Sequence, residues 1–286
     1  MRRPADIAYD QRSMGTLVEL TSVFEGLASM RIAQIKNQVL EAQAFFDELW
    51  NIYTQLRVDS LFRFGNRERV HAVNEKELII IITAEGGFSG DIDQKLIALM
   101  LKTYDKEKQD IVVIGHHGAV QLAQNGIGFK KYFKLPERDQ NINSEPIIAE
   151  VQNYRSTTVY YQTYVSLMVQ DVKRISLANA VQEKGHNVKQ DKDETISEDT
   201  YIFEPSTFAV VDHLERSMLQ IAVSQVILES KLAQYASRFR AMSSAHDLAD
   251  DLFSNLTLTY NRSLRSIKDE RLKEIINGLR KAKVGI

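Results

Sequence analysis

Between Val211 and Ile267 the chain sets Val211, Leu214, Met218, Ile221, Gln225, Leu228, Leu232, Tyr235, Phe239, Met242, His246, Ala249, Phe253, Leu256, Tyr260, Ser263 and Ile267 at alternating steps of three and four. Such steps lay one mostly apolar seam along a helix that winds left-handed around a partner. Ser206 to Asn277 holds neither proline nor glycine, so the pattern predicts a single unbroken helix. Pro205 fixes its entry, and Ser206 or Thr207 is placed to cap the first turn. Roughly eight heptads at about 1.5 Å per residue make a helix on the order of 100 Å long. The string "LTLTYNR" (Leu256 to Arg262) alternates like a strand. Leu256 and Tyr260 nevertheless fall on the seam, and threonine costs only a few tenths of a kcal/mol in a helix. The longer period decides for helix.

A second seam lies near the N-terminus, at Ile32, Ile35, Val39, Ala42, Phe46, Leu49, Tyr53 and Leu56. Upstream, Leu17, Leu20, Phe24 and Leu27 suggest the same rule in another phase, with the shift near Gly26. Neither stripe can bury itself alone. The economical arrangement is an antiparallel pair of the two arms, the C-terminal one projecting beyond. Ordinary core helices average about 11–12 residues, which disfavours a simple bundle.

Between the arms the pattern changes to α/β. "ELIIIITAEGGFSG" reads as a buried strand and a glycine-rich turn, and "DIDQKLIALMLKTYDKE" as a helix capped by Asp91 or Asp93. "DIVVIGHHG" reads as a second buried strand, and "TTVYYQTYVSLMVQDVKRISL" contributes at least one more. Strand, helix and strand in that order imply a right-handed parallel crossover. The expected organisation is an N-terminal shaft helix (1–66), a Rossmann-like α/β foot domain (67–182), a polar, mobile loop (183–200) and a C-terminal shaft helix (201–286).

Composition narrows the function. A net charge of −2 gives no basic field for nucleic acid. With no cysteine, disulfides, thiolate metal sites and cysteine nucleophiles are excluded. "MRRPADIAYDQR" lacks the apolar run of a secretory signal, and "LIIIIT" is far short of the roughly 20 residues of a membrane helix.

Candidate chemistry is sparse. The turn "AEGGFSG" (Ala84 to Gly90) has free backbone N–H groups for a phosphate, but lacks the Lys-Ser/Thr of a Walker loop and the dinucleotide fingerprint. It reads mainly as a structural turn. His116 and His117 are expected to end the second strand; neighbours on a strand face opposite ways and share a metal poorly. No carboxylate is spaced to accompany them. Gln225 and His246 read as polar seam positions that fix register. No nucleophile elbow and no paired carboxylates stand out, so no catalytic residue, cofactor or metal is expected.

Three segments carry a family resemblance. "YIFEPSTFAVVDHL" (Tyr201 to Leu214), "RFRAMSSAHDLADDLFSNLTLTYNR" (Arg238 to Arg262) and "SIKDERLKEIINGLRKA" (Ser266 to Ala282) resemble the gamma subunits of F-type ATP synthases. "ITAEGGFSGDIDQKL" and "GHHG" are similar to that family's glycine turn and its Gly-Arg-Lys-Gly, and "LTSVFEGLASMRIAQIK" to its first helix. The resemblance is collinear over nearly the whole chain. It implies a rotor shaft inside a ring of three alpha and three beta subunits, with the foot against epsilon and the membrane c-ring. ATP is then made or hydrolysed in beta, and this chain has no catalytic site of its own.

Carried over residue by residue, the resemblance places Arg31, Arg238, Met242, Tyr260, Asn261, Arg262 and Arg265 at the catalytic ring, and Gly86, Gly87 and Gly90 in the foot turn. The chain departs from the family at Phe24-Glu25-Gly26, Ser89, Ala233-Gln234 and Leu264-Arg265. A bacterial origin is implied, with a peripheral place on the cytoplasmic face of the plasma membrane. Proton versus sodium coupling and the net direction of operation are not legible. The alternatives are the shaft of an ATP-hydrolysing motor that is not a synthase, and a nucleotide-binding α/β enzyme.

Overall fold

Five consecutive apolar residues, Leu78 to Ile82, are all buried, which an unbroken run achieves only in a strand covered on both faces. A computed structural model describes residues 3–55, 74–137, 139, 142–177 and 202–284. Its elements are α1 (Pro4–Gln55), β1 (Asn74–Ile82), α2 (Ile92–Leu101), β2 (Gln109–Ile114), α3 (His116–Gln124), β3 (Lys131–Phe133), α4 (Glu145–Val151), β4 (Tyr154–Tyr164), β5 (Gln170–Ser176) and α5 (Thr207–Val284). The expected boundary at 66/67 and the expected loop 183–200 lie outside the described residues. The chain divides into two compact units, Met1–Leu27 with Phe239–Ile286, and Ala28–Arg238.

In the larger unit the sheet order is β3-β2-β1-β4-β5. β1 pairs in parallel with β2 and β4, β2 with β3, and only β5 runs antiparallel, against β4. Leu78, Ile80 and Ile82 point to one side, into a core shared with α4 and with Val223, Val226 and Ile227 of α5. Ile79 and Ile81 point to the other side, against Leu96, Ile97 and Met100 of α2 and Leu122 of α3. The expected α/β class and parallel crossover are what the structure shows.

The long helices pair antiparallel. In the larger unit Ile32, Ile35, Val39 and Ala42 meet Leu228, Leu232 and Tyr235, while Phe46, Leu49, Trp50 and Tyr53 meet Met218, Ile221 and Ala222. Gln225 Nε2 donates to Gln43 Oε1 at 2.6 Å across this seam. In the smaller unit Gln11 Nε2 donates to Thr257 Oγ1 at 2.8 Å, and His246 Nδ1 lies 3.2 Å from the Val18 carbonyl. Thr257 and Thr259 return their hydroxyls to the Phe253 and Asn255 carbonyls, each at 2.8 Å, as threonines inside a helix do. Ser206 Oγ accepts the Ala209 N–H at 3.2 Å and caps α5 as expected.

Two expectations need correction. Leu17, Leu20, Phe24 and Leu27 are 47%, 48%, 36% and 48% exposed and do not form the upstream seam. The inward positions of α1 there are Ile7, Gln11, Met14, Val18, Thr21, Glu25 and then Ala28. They continue to Ile32 in steps of three and four with no shift at Gly26. Because three of them are polar, the outer face is the more apolar one, and the pattern misled. Second, Asp91 holds the N-cap position of α2 without a side-chain cap bond, and Asp93 turns into the domain.

Gly115 (φ +99) ends β2 so tightly that a Cβ would stand 2.1 Å from the Thr83 carbonyl oxygen. At Gly118 a Cβ would stand 2.7 Å from Thr83 Oγ1, which accepts the Gly118 N–H at 2.9 Å. These contacts explain the glycines of "GHHG". Gly115→Ala is expected to cost about 3 kcal/mol or more. Gly87→Ala, with open space around it, should stay within about 0.5 kcal/mol. Thermal unfolding of the two variants checks the difference, and equal losses would contradict this packing.

Candidate functional site: the glycine turn and the helix that covers it

The turn after β1 is shaped by Phe88 (φ 68) and Gly90 (φ 66), both left-handed. Its carbonyls face α5. Ser237 Oγ donates to the Ser89 carbonyl at 2.7 Å. Arg238 donates from Nε to the Gly87 carbonyl at 3.1 Å and from Nη2 to that of Gly86 at 3.4 Å. The guanidinium also lies 5.0 Å over the Tyr235 ring. In open parallel sheets the crevice beyond the strand ends holds ligands. Here Ser237 and Arg238 of α5 take the carbonyls of Ser89, Gly87 and Gly86, so the turn docks the helix, while Gly86, Gly87, Phe88 and Gly90 stay exposed.

Behind the turn lies a buried polar chain that sequence reasoning missed. Gln162, on β4, donates from Nε2 to Asp93 Oδ1 at 2.7 Å. Ser230 Oγ donates to Gln162 Oε1, and Gln234 Nε2 donates to Ser230 Oγ at 3.0 Å. On its other oxygen Asp93 takes His117 Nδ1 at 3.1 Å, and the Ala84 N–H approaches at 3.3 Å. Burial pushes the Asp93 carboxyl above its ordinary range, against the opposing pull of His117.

His116 and His117 therefore differ from expectation: they open α3 rather than end a strand, and a carboxylate does accompany His117. The His116 N–H donates to Glu85 Oε2 at 3.2 Å. One signal for Asp93 was present in the sequence. It shares the buried face of α2 with Leu96, Ile97 and Met100, a place where a carboxylate needs partners.

The residues taken from the resemblance fall into three settings. Arg238, Gly86, Gly87 and Gly90 come together at the turn. Arg31 Nη1 lies 3.5 Å from Asp139 Oδ2. Asp139 also pairs with Lys231, which is 3% exposed and donates to the Pro136 carbonyl at 2.7 Å. Met242 is buried and Tyr260 half-buried on the inward face of α5, whereas Asn261, Arg262 and Arg265 are exposed. From Lys268 to Arg280 every residue of α5 is exposed, Leu272, Ile275 and Leu279 included.

The Asp93 shift predicts a pH effect of definite sign. A carboxyl whose folded pKa is raised contributes most below its unfolded value of 3.8. That contribution is lost as pH rises through the raised value. The stability of the native chain relative to Asp93→Asn should therefore fall as pH rises from about 4 to about 7. Thermal unfolding of both proteins across that range checks it, and a constant difference would contradict the assignment.

Comparison with known proteins follows the same lines. The family profile described as ATP synthase matches residues 6–280. The ATP synthase gamma chain of Halothermothrix orenii is 23% identical over 291 residues, covering 97% of this chain and 98% of that one. That of Chlorobium phaeobacteroides is 24% identical over 295 residues, covering 96% of each. Among solved structures, a chain of the Euglena gracilis mitochondrial ATP synthase OSCP/F1/c-ring assembly superposes with a TM-score of 0.65 at 15% identity, covering 98% of this chain and 96% of that one. A chain of the Tetrahymena thermophila central stalk and c-ring gives 0.57 at 16% identity, covering 79% and 99%. Matched from residue 6 to residue 280, and aligned end to end with gamma chains, the chain belongs to the ATP synthase family.

Proposed function

We propose that this chain is the gamma subunit of an F-type ATP synthase. It is the central-stalk rotor that couples ion flow through the membrane c-ring to ATP synthesis or hydrolysis in a ring of three alpha and three beta subunits. The observation that carries the reading is the antiparallel pairing of α1 with α5, one proline-free helix of 78 residues. Torque needs a stiff element, and a continuous helix zipped to a second one supplies it. The chain itself performs no chemistry in this role. Residues 1–66 and 201–286 are assigned to the shaft and 67–182 to the foot, with epsilon and the c-ring as the foot's partners.

Membrane contact then runs through those partners, at the cytoplasmic face of a bacterial plasma membrane. Among the described residues no helix is long and apolar enough to cross a membrane. The exposed stripe Leu17, Leu20, Phe24 and Leu27 on α1, and Leu272, Ile275 and Leu279 on α5, suit an apolar bearing in the ring. Asn261, Arg262 and Arg265 supply polar contacts beside it, and Met242 and Tyr260 stiffen the shaft beneath. Arg31 and Arg238 reach the ring only with the charge that Asp139 and the turn carbonyls leave available. The altered residues Gly26, Leu264 and Arg265 keep a second reading open, the shaft of a hydrolytic motor that is not a synthase.

Tagged protein from its native cell should recover two Walker-loop ATPase chains, each in three-to-one ratio to it. Recovery of none would overturn the proposal. Leu17→Ser with Leu20→Ser should leave the unfolding of the free chain within about 0.5 kcal/mol yet weaken its recovery in that complex. Undiminished recovery would remove α1's outer stripe from the bearing.

A further inference from the structure

The smaller unit carries its charge unevenly. On α1 no lysine or arginine occurs from Ser13 to Leu27, and on α5 none from Ala241 to Asn261. Over the whole chain 36 of 286 residues are lysine or arginine, about one in eight, so two stretches this long without any are a pattern rather than an accident. Two bonds set them side by side: Gln11 reaches Thr257, and Thr21 Oγ1 lies 3.3 Å from His246 Nδ1. The band they make holds Glu19 and Glu25 on α1, and Asp247, Asp250 and Asp251 on α5. The chain has 38 acidic side chains against its 36 basic ones; with these five set aside, the remainder is net positive.

Nothing within the chain answers this charge. Among the described residues the five carboxylates enter no ion pair and no side-chain hydrogen bond. Glu19, Asp247, Asp250 and Asp251 are exposed, and Glu25 is half-buried. Asp247 stands three residues from Asp250 and four from Asp251, spacings at which like charges weaken a helix. The band's one histidine, His246, turns into the seam, its Nδ1 3.2 Å from the Val18 carbonyl. Between the acidic positions, Leu17, Leu20, Val23 and Leu27 of α1 and Leu248 and Leu252 of α5 are exposed. Exposed apolar surface rimmed by charge has the anatomy of a protein interface.

We propose that this band is a docking collar for a protein surface that is apolar and basic, with lysines or arginines set opposite the five carboxylates. Charge decides among the occupants. Anionic lipid and nucleic acid are repelled by the band. A second copy laid band to band would set carboxylate against carboxylate with no base between them. A protein face of the opposite sign covers the leucines and relieves the repulsion along α5 at once. That the ATPase chains of the ring carry this face rests on the rotor reading. The sign of the charge they must present follows from this chain alone.

Binding of the ATPase chains to the tagged full-length protein tests this, those chains being identified by mass spectrometry. Asp247→Asn with Asp251→Asn removes two charges from the band. Glu75→Gln with Glu107→Gln removes two from exposed positions of the α/β domain. At about 0.05 M salt the Asn pair should bind about tenfold more weakly than the native chain, and the Gln pair like the native chain. Raising salt to about 0.5 M should bring the native chain down toward the Asn pair. Asp247→Lys with Asp251→Lys should bind more weakly still. Circular dichroism establishes that the free variants are folded; should the Asn pair fail there, Glu19→Gln reads the same loss from α1. Native-like binding by the folded band variant, or tighter binding by the Lys pair, overturns the collar. So does a dimer of the free native chain that the Asn pair disperses, which gives the face to a second copy. If the native chain binds no ATPase chain, the rotor reading falls and this carrier with it; ATPase chains bound without regard to the band overturn the collar alone.

Discussion

From Ala222 to Ser237, α5 is buried on nearly every side, because α1 covers one face while the sheet and α4 cover another. A helix in that position cannot be apolar on one stripe only. Apolar residues fill the two packing faces, and Gln225, Ser230, Lys231, Gln234 and Ser237 are forced to find bonds where the faces meet. Each finds one: Gln43, Gln162, Asp139, Ser230 and the turn carbonyl of Ser89. An unpaired polar group there would cost about 1–3 kcal/mol. Much of the larger unit's architecture is therefore set by what this stretch of helix demands of its neighbours.

The same demand connects structure to the proposed task. Apolar packing resists separation but has little preference for angle, whereas hydrogen bonds are directional. Ties spread from Gln220 to Arg238 fix how α5 is rotated about its own axis against the sheet. For a rotor that is the relevant stiffness: foot and shaft must turn as one body. The glycine turn serves the same end, since its left-handed residues aim the carbonyls of Gly86, Gly87 and Ser89 at Ser237 and Arg238.

The seam of α5 was legible because apolar residues outnumber polar ones on it, and because proline and glycine are missing. The lower half of α1 was legible for the same reason. Its upper half was misread because Gln11, Thr21 and Glu25 face inward while Leu17, Leu20, Phe24 and Leu27 face out; period alone does not say which of two stripes is covered. The histidines were misplaced by a residue or two, since nothing local reveals that Gly115 turns the chain from strand to helix at once. Asp93 escaped because an aspartate after a glycine turn suggests a cap. Only the fold brings Gln162 and Ser230, distant in sequence, to meet it.

The most direct test of the account is the register of the two long helices, and the absence of native cysteine makes it clean. Gln43→Cys with Gln225→Cys places thiols where the side chains now touch at 2.6 Å. Gln43→Cys with Glu215→Cys separates them by ten residues of helix, or about 15 Å. A short bifunctional thiol reagent should join the first pair within a single chain and leave the second open. Joining of the second pair alone, or of neither, would contradict the antiparallel pairing on which the rotor reading stands.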